Sequence, residues 1–102
     1  MSPLPPTELL LPLAEPTRLR IVNCLAAAPL FVSDLQAVLD LPQPTVSRHL
    51  TVLKKASVVR DTPIAQFVLY RLRQESGPSG RLLQAVLDAL GHDEQMRLER
   101  HR

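Results

Sequence analysis

The 102 residues hold a single cysteine, Cys24, so no intramolecular disulfide framework can brace the fold. Tryptophan is absent and aromatic residues make up only 3% of the chain, although 45% of it is hydrophobic. The core must therefore be built from Leu, Val, Ile and Ala, which favours helices. No charged segment leads into a long apolar run, as a secretory signal or a membrane span would require. The expectation is a cytoplasmic chain with no membrane partner. There is also no glycine-framed nucleophile, no Walker-type phosphate loop and no paired carboxylate spacing. A catalytic role and a cofactor are accordingly not expected.

The length suits one domain spanning 1–102, since compact domains usually run to about 100–150 residues. So small a domain buries a modest share of its surface, and dimerisation adds buried area. The formal net charge is only +2, but it is unevenly placed. From Met1 to Asp40 two arginines face four carboxylates, for a net −2. From Leu41 to Arg73, Arg48, Lys54, Lys55, Arg60, Arg71 and Arg73 face Asp61 alone, for a net +5, and the remainder carries −1. A localised basic surface is the electrostatic footprint of a phosphate-backbone binder.

Ser2-Pro3-Leu4-Pro5-Pro6 reads as extended, because proline restricts the residue before it and lacks a donor. A short helix follows, with Thr7 as its cap and Leu9, Leu10 and Leu13 on one side. Pro16 suits the first turn of a second helix that runs to Pro29. Ser33 is the expected N-cap of a third, with Leu35, Val38 and Leu39 inside. After the break at Leu41-Pro42-Gln43-Pro44, Val46, Leu50 and Leu53 form the buried stripe of a fourth. Val58 and Val59, then Phe67 to Leu72, read as a β-hairpin. Leu83, Val86, Leu87 and Leu90 share a face of the last helix, and the tail from Met96 to Arg102 is expected to fray. The fold class is mainly α with a β-hairpin wing, a winged helix-turn-helix in αααα-ββ-α order.

The short third helix, its turn and the fourth helix form a helix-turn-helix unit. Burying Val46, Leu50 and Leu53 turns Thr45, Ser47, Arg48, Thr51 and Lys55 outward. Short hydroxyls and amides reach base edges, Arg pairs bidentately with guanine, and Lys suits phosphate. Gln43, Thr45, Ser47 and Arg48 are therefore placed near bases, with His49, Lys54 and Lys55 near the backbone of double-stranded DNA. The bland alternative is that these residues are the solvated face of an amphipathic helix.

Three separated stretches also carry a resemblance. Ala14-Glu15-Pro16-Thr17-Arg18-Leu19-Arg20-Ile21-Val22, then Pro42 to Leu50 with Val52-Leu53-Lys54-Lys55-Ala56, then Leu69-Tyr70-Arg71-Leu72, resemble the ArsR/SmtB family of winged-helix transcriptional repressors. The resemblance implies a homodimer formed through the first and last helices, bound to an inverted-repeat operator and controlled by an inducer, which the sequence leaves unnamed. Three departures stand out. Where metal-sensing members carry Cys-x-Cys before the third helix's Asp-Leu, this chain has Phe31 and Ser33, which cannot act as thiolate ligands. Where others carry Asp-x-His after the wing and a later His, it has Gln74-Glu75-Ser76 and Ala89. The wing tip, Asp61-Thr62-Pro63-Ile64-Ala65-Gln66, lacks the usual glycine and basic residue.

Cys24 reads either as a thiol switch or as a small buried hydrophobe on the second helix. Asp88 and His92, four apart, read either as a weak metal pair shared across a dimer or as a solvated helix face. The dimer interface is expected from Leu9, Leu10 and Leu13 against Leu83, Val86, Leu87 and Leu90. The leading expectation is a homodimeric, sequence-specific repressor with no metal site of the usual family kinds. The alternative is a winged-helix module that binds protein without DNA specificity.

Overall fold

The computed structural model describes residues 5–73 and 76–101. The expected extension at Ser2-Pro3-Leu4, and Gln74 and Glu75 after the wing, lie outside the described residues. Helix α1 (Pro6–Leu13) begins with Pro6 at its first position, where a missing N–H costs nothing, so Thr7 lies inside the helix rather than capping it. Helix α2 (Pro16–Ala27) is capped by Glu15, whose carboxylate accepts from the Arg18 N–H at 2.9 Å. Five consecutive residues of α2, Ile21 to Leu25, are buried, so this part of the helix is enclosed on all sides rather than on one stripe.

A two-residue strand β1 (Leu30–Phe31) precedes helix α3 (Val32–Leu39), too short to show a period in the sequence. The cap of α3 is not Ser33, which is exposed in its first turn. Instead the Asp34 carboxylate reaches back to accept from the Phe31 N–H at 2.9 Å. The helix stops at Asp40, which takes a left-handed conformation with φ 55° that Asp tolerates well. Helix α4 (Gln43–Lys55) follows, and Val46, Leu50 and Leu53 are completely enclosed.

The hairpin pairs β2 (Val59–Ile64) with β3 (Phe67–Leu72), in register from Val59 opposite Leu72 to Ile64 opposite Phe67. β1 joins the other edge of β3, so the sheet is antiparallel in the order β1-β3-β2. Its two-residue turn places Ala65 at φ 56°, a conformation that suits glycine and costs an L side chain about 1–2 kcal/mol.

Helix α5 (Pro78–Leu90) is followed by a further helix, α6 (Glu94–Arg100). This corrects the expectation of a fraying tail. Asp93 caps α6 by accepting from the Met96 N–H at 3.0 Å, and the helix packs on α2. The contact is polar. Arg20 grips the buried Glu99 carboxylate through Nε, at 3.1 and 3.2 Å, and through Nη2. Asn23, fully buried in α2, donates to the Met96 carbonyl at 2.7 Å and accepts from Arg100. A buried Asn has to be satisfied, and α6 supplies both partners. The observed order is therefore ααβααββαα, with the expected winged helix-turn-helix at its centre.

Candidate nucleic-acid interface

Helix α4 divides cleanly into two faces. Inward, Val46, Leu50 and Leu53 anchor it to the core, each Leu contributing about 1.5–3 kcal/mol through burial. Outward, Gln43, Arg48, Thr51, Lys54 and Lys55 are exposed, while Thr45 and Ser47 sit half-buried on the flanks. Gln43 donates to the Ser47 hydroxyl at 2.6 Å, and Thr51 donates back to the Ser47 carbonyl at 3.0 Å. These bonds hold a polar surface in place on a rigid element, as base-edge contacts require.

His49 does not join that surface. Its side chain is 12% exposed and faces the start of α2. Arg18 Nη1 lies 3.2 Å from its Nδ1, which accepts from the guanidinium when the ring is neutral. Glu15 lies 3.7 Å away on the same side. Burial acts to raise the Glu15 pKa, but hydrogen bonds from the Arg18 and Thr17 N–H groups and the charges of His49 and Arg18 outweigh it, and the pKa is lowered. The expected phosphate contact by His49 is thus corrected: it braces α4 against α2. A ring at this helical position points back toward the preceding element once Leu50 faces the core.

Lys54 is also partly committed. Its ammonium lies 2.9 Å from the Asp61 carboxylate, which raises the Lys54 pKa and ties α4 to the wing. Asp61 is opposite Tyr70, whose phenol pKa is raised mainly by burial and further by that carboxylate. Lys55 and Arg48 carry no such ion pair among the described residues.

Three groups complete the surface that residue patterning had not singled out. Val52, 38% exposed, adds an apolar spot to the outward face of α4, suited to a thymine methyl. Arg60 and Arg71 are exposed and directly opposed across the hairpin. Facing like charges destabilise a strand pair, so an anion between them would relieve a cost already present in the free protein. The signal for this pair was register, which only the turn length sets.

Other candidate residues fall elsewhere. Cys24 is 3% exposed with its thiol 3.9 Å from the Glu99 carbonyl, and burial pushes its pKa up to about 11. A thiol so hard to ionise fits packing, not the switch reading. Asp88 accepts from Gln84 at 2.9 Å, and α5 ends at Leu90, so His92 does not share a helix face with Asp88. No cluster of three or more His, Cys, Asp or Glu suited to a metal occurs among the described residues. Phe31 stacks edge-on against Phe67, with ring centroids 6.0 Å apart. Of the residues expected at a dimer interface, Leu9, Leu13 and Leu87 are enclosed in the subunit's own core, whereas Leu10 is 49% exposed beside Leu11 at 75%. Leu83, Val86 and Leu90 are half-buried.

Comparison with known proteins agrees with this geometry. A family model described as a helix-turn-helix domain matches residues 13–62. The HTH-type transcriptional repressor SmtB of Mycobacterium tuberculosis is 42% identical over 85 residues, covering 83% of this chain and 59% of that protein. The arsenical resistance operon repressor of Escherichia coli is 42% identical over 73 residues, 71% of this chain and 62% of that one. The crystal structure of the transcriptional regulator HlyU from Vibrio vulnificus superposes with a TM-score of 0.71 at 30% identity, covering 81% and 84% of the two chains. The chain belongs to the ArsR/SmtB family of winged-helix regulators. It is a family of transcriptional regulators, not of enzymes. In ArsR/SmtB terms, α3 and α4 are the helix-turn-helix and the β2-β3 hairpin is the wing. The chain spans about three-fifths of the length of the mycobacterial repressor it matches. No helix among the described residues is long and apolar enough to cross a membrane.

Proposed function

We propose that the chain is a homodimeric transcriptional repressor that reads an inverted-repeat operator with α4 in the major groove. The observation that carries the reading is the two-faced α4: Val46, Leu50 and Leu53 are fully enclosed, while Gln43, Arg48, Thr51, Val52 and Lys55 are exposed on one rigid helix. Arg48 contacts a base edge, Thr45, Ser47, Thr51 and Val52 add hydroxyl and methyl contacts, and Lys55, Arg60 and Arg71 bind phosphate. The dimer forms through the exposed Leu10 and Leu11 of α1 together with the outer side of α5, which packs on α1. Control does not run through a thiolate pair before α3, where Phe31 and Ser33 stand, nor through an Asp-x-His site after the wing, where the sequence reads Gln74-Glu75-Ser76.

A salt titration with a duplex selected from a random pool, against an unselected duplex, tests the proposal. Steep salt dependence with a strong preference for the selected duplex is expected, and weak, salt-insensitive binding to both would refute it. Leu10→Glu is expected to give a folded monomer that no longer binds the selected duplex, as sedimentation and gel shift would report. A second reading, a protein-binding module, is favoured by one feature. Ile64 at 44% and Phe67 at 54% exposure leave an apolar end on the wing. The same titration separates the two, since a protein module gains nothing from the selected sequence.

A further inference from the structure

By strand alternation Arg60, Thr62 and Ile64 of β2 share one face of the hairpin with Phe67, Leu69 and Arg71 of β3, while Val59, Tyr70 and Leu72 on the opposite face pack into the core. The outer face is divided along its length. At its foot stand the opposed guanidiniums of Arg60 and Arg71, both exposed and neither in an ion pair among the described residues. From Thr62 to Tyr70 no residue is charged, and the far end presents Ile64 and Phe67, exposed and directly opposite each other.

This apolar end is held in shape. Phe31 supports the Phe67 ring edge-on at an interplanar angle of 67°, Pro63 fixes the backbone just before Ile64, and the turn contains no glycine. Exposed apolar side chains on a firm support mark a contact surface. The arginines on the same face match a polyanion, and the hairpin continues directly from α4, where Lys54 joins Asp61 at 2.9 Å. Ile64 lies three residues beyond Asp61, about 10 Å further out at about 3.3 Å per residue. With α4 in a major groove about 12 Å wide, that reach brings Arg60 and Arg71 to the bordering phosphates and carries the apolar end past them, to the neighbouring minor groove.

We propose, resting on the repressor reading, that the end of the wing is an apolar wedge for the minor groove: Phe67 and Ile64 press into a base step beside each half-site and bend the duplex. Apolar wedges of this kind part stacked base pairs and kink DNA toward the major groove. The favoured site is a pyrimidine–purine step, TA or CA, whose stacking yields most easily. The wing thus adds a preference for deformable DNA to the base-edge contacts of α4. A protein seated on this face would have to match both the apolar end and the two arginines behind it, whereas a duplex already held by α4 meets both at once.

Duplexes selected from a random pool are expected to carry a TA or CA step at a fixed distance outside each half-site. On one such duplex of about 30 base pairs, energy transfer between end labels reports bending, and 2-aminopurine in place of the purine of that step reports unstacking. The native chain is expected to bend the duplex by at least about 20° and to raise the 2-aminopurine emission at least about twofold. Phe67→Ser is expected to remove most of both signals and to weaken binding at least about fivefold, the lower end of what one base–aromatic stack contributes. Because that change also removes the Phe31 contact, Ile64→Ser, which leaves the contact in place, is the second variant and is expected to reduce both signals, with circular dichroism confirming the fold of each. A selected pool without such a step, a duplex that stays straight under the native chain, or signals unchanged in both variants overturns the wedge and leaves the apolar end to a protein partner. Tight, selective binding to a straight duplex removes the wedge and spares the repressor reading, whereas no preference for any duplex removes both.

Discussion

Arginine does opposite work in two regions of this molecule. In the helix-turn-helix and wing, Arg48, Arg60 and Arg71 are exposed and point their charge at solvent, with Arg60 and Arg71 facing each other across the hairpin. Between α2 and α6, Arg20 and Arg100 are half-buried and are held by Glu99, Asn23 and two backbone carbonyls. The first set adds nothing to the subunit's cohesion and is arranged for a polyanion. The second closes the fold around a helix too short to stand alone. Residue type is the same in both; what differs is whether a partner is already present in the chain.

The sharpest way to break the contrast is Arg20→Ala. It leaves the Glu99 carboxylate buried without its cation, and is expected to cost about 2–4 kcal/mol in chemical denaturation while the folded fraction binds DNA unchanged. A loss below about 0.5 kcal/mol would mean that α6 is not secured by this pair. Arg48→Ala should do the reverse: stability stays within about 0.5 kcal/mol, while binding to the selected duplex falls by about 1–3 kcal/mol with relaxed preference at one base pair per half-site. Equal weakening on every duplex would reassign Arg48 to phosphate. Arg60→Ala is expected to weaken all duplexes alike, reduce the salt slope by about one per subunit, and leave or slightly raise stability by removing the repulsion with Arg71. Sequence-dependent loss would show that the wing reads bases. The smallest effect is expected from Ala65→Gly at the wing tip, where relief of the positive φ should raise stability by up to about 1 kcal/mol with no change in DNA affinity. A drop in stability would indicate that the turn relaxes in solution to a conformation that alanine prefers.

The helix-turn-helix is legible in the sequence because its evidence is local: Val46, Leu50 and Leu53 recur at helical spacing, and proline at Pro42 and Pro44 marks the start. The hairpin was legible from its β-branched and aromatic run. β1 was not, since two residues carry no period, and α6 was not, since Glu94 to Arg100 is polar enough to read as a loose tail. Its anchor lies far away in the chain: Arg20 and Glu99 are 79 residues apart, and no window of sequence joins them. Among the candidate site residues, Arg48, Thr51 and Lys55 lie on the surface where spacing placed them, but His49 turned inward because Glu15 and Arg18 at the start of α2 stand beside it.

By itself, then, the sequence determined the first five helices and the hairpin, where the apolar stripes run, that the basic charge gathers between Leu41 and Arg73, and that the chain resembles ArsR/SmtB repressors. The tertiary structure alone decided which of those charges are spent inside the molecule. Lys54 met Asp61, Arg20 met Glu99, His49 met Arg18, and Leu9, Leu13 and Leu87 closed on the subunit's own core instead of waiting for a partner. The reason is physical. Periodicity depends on neighbours three and four residues away, whereas burial and charge pairing depend on whatever the fold brings within a few ångströms, at any separation along the chain.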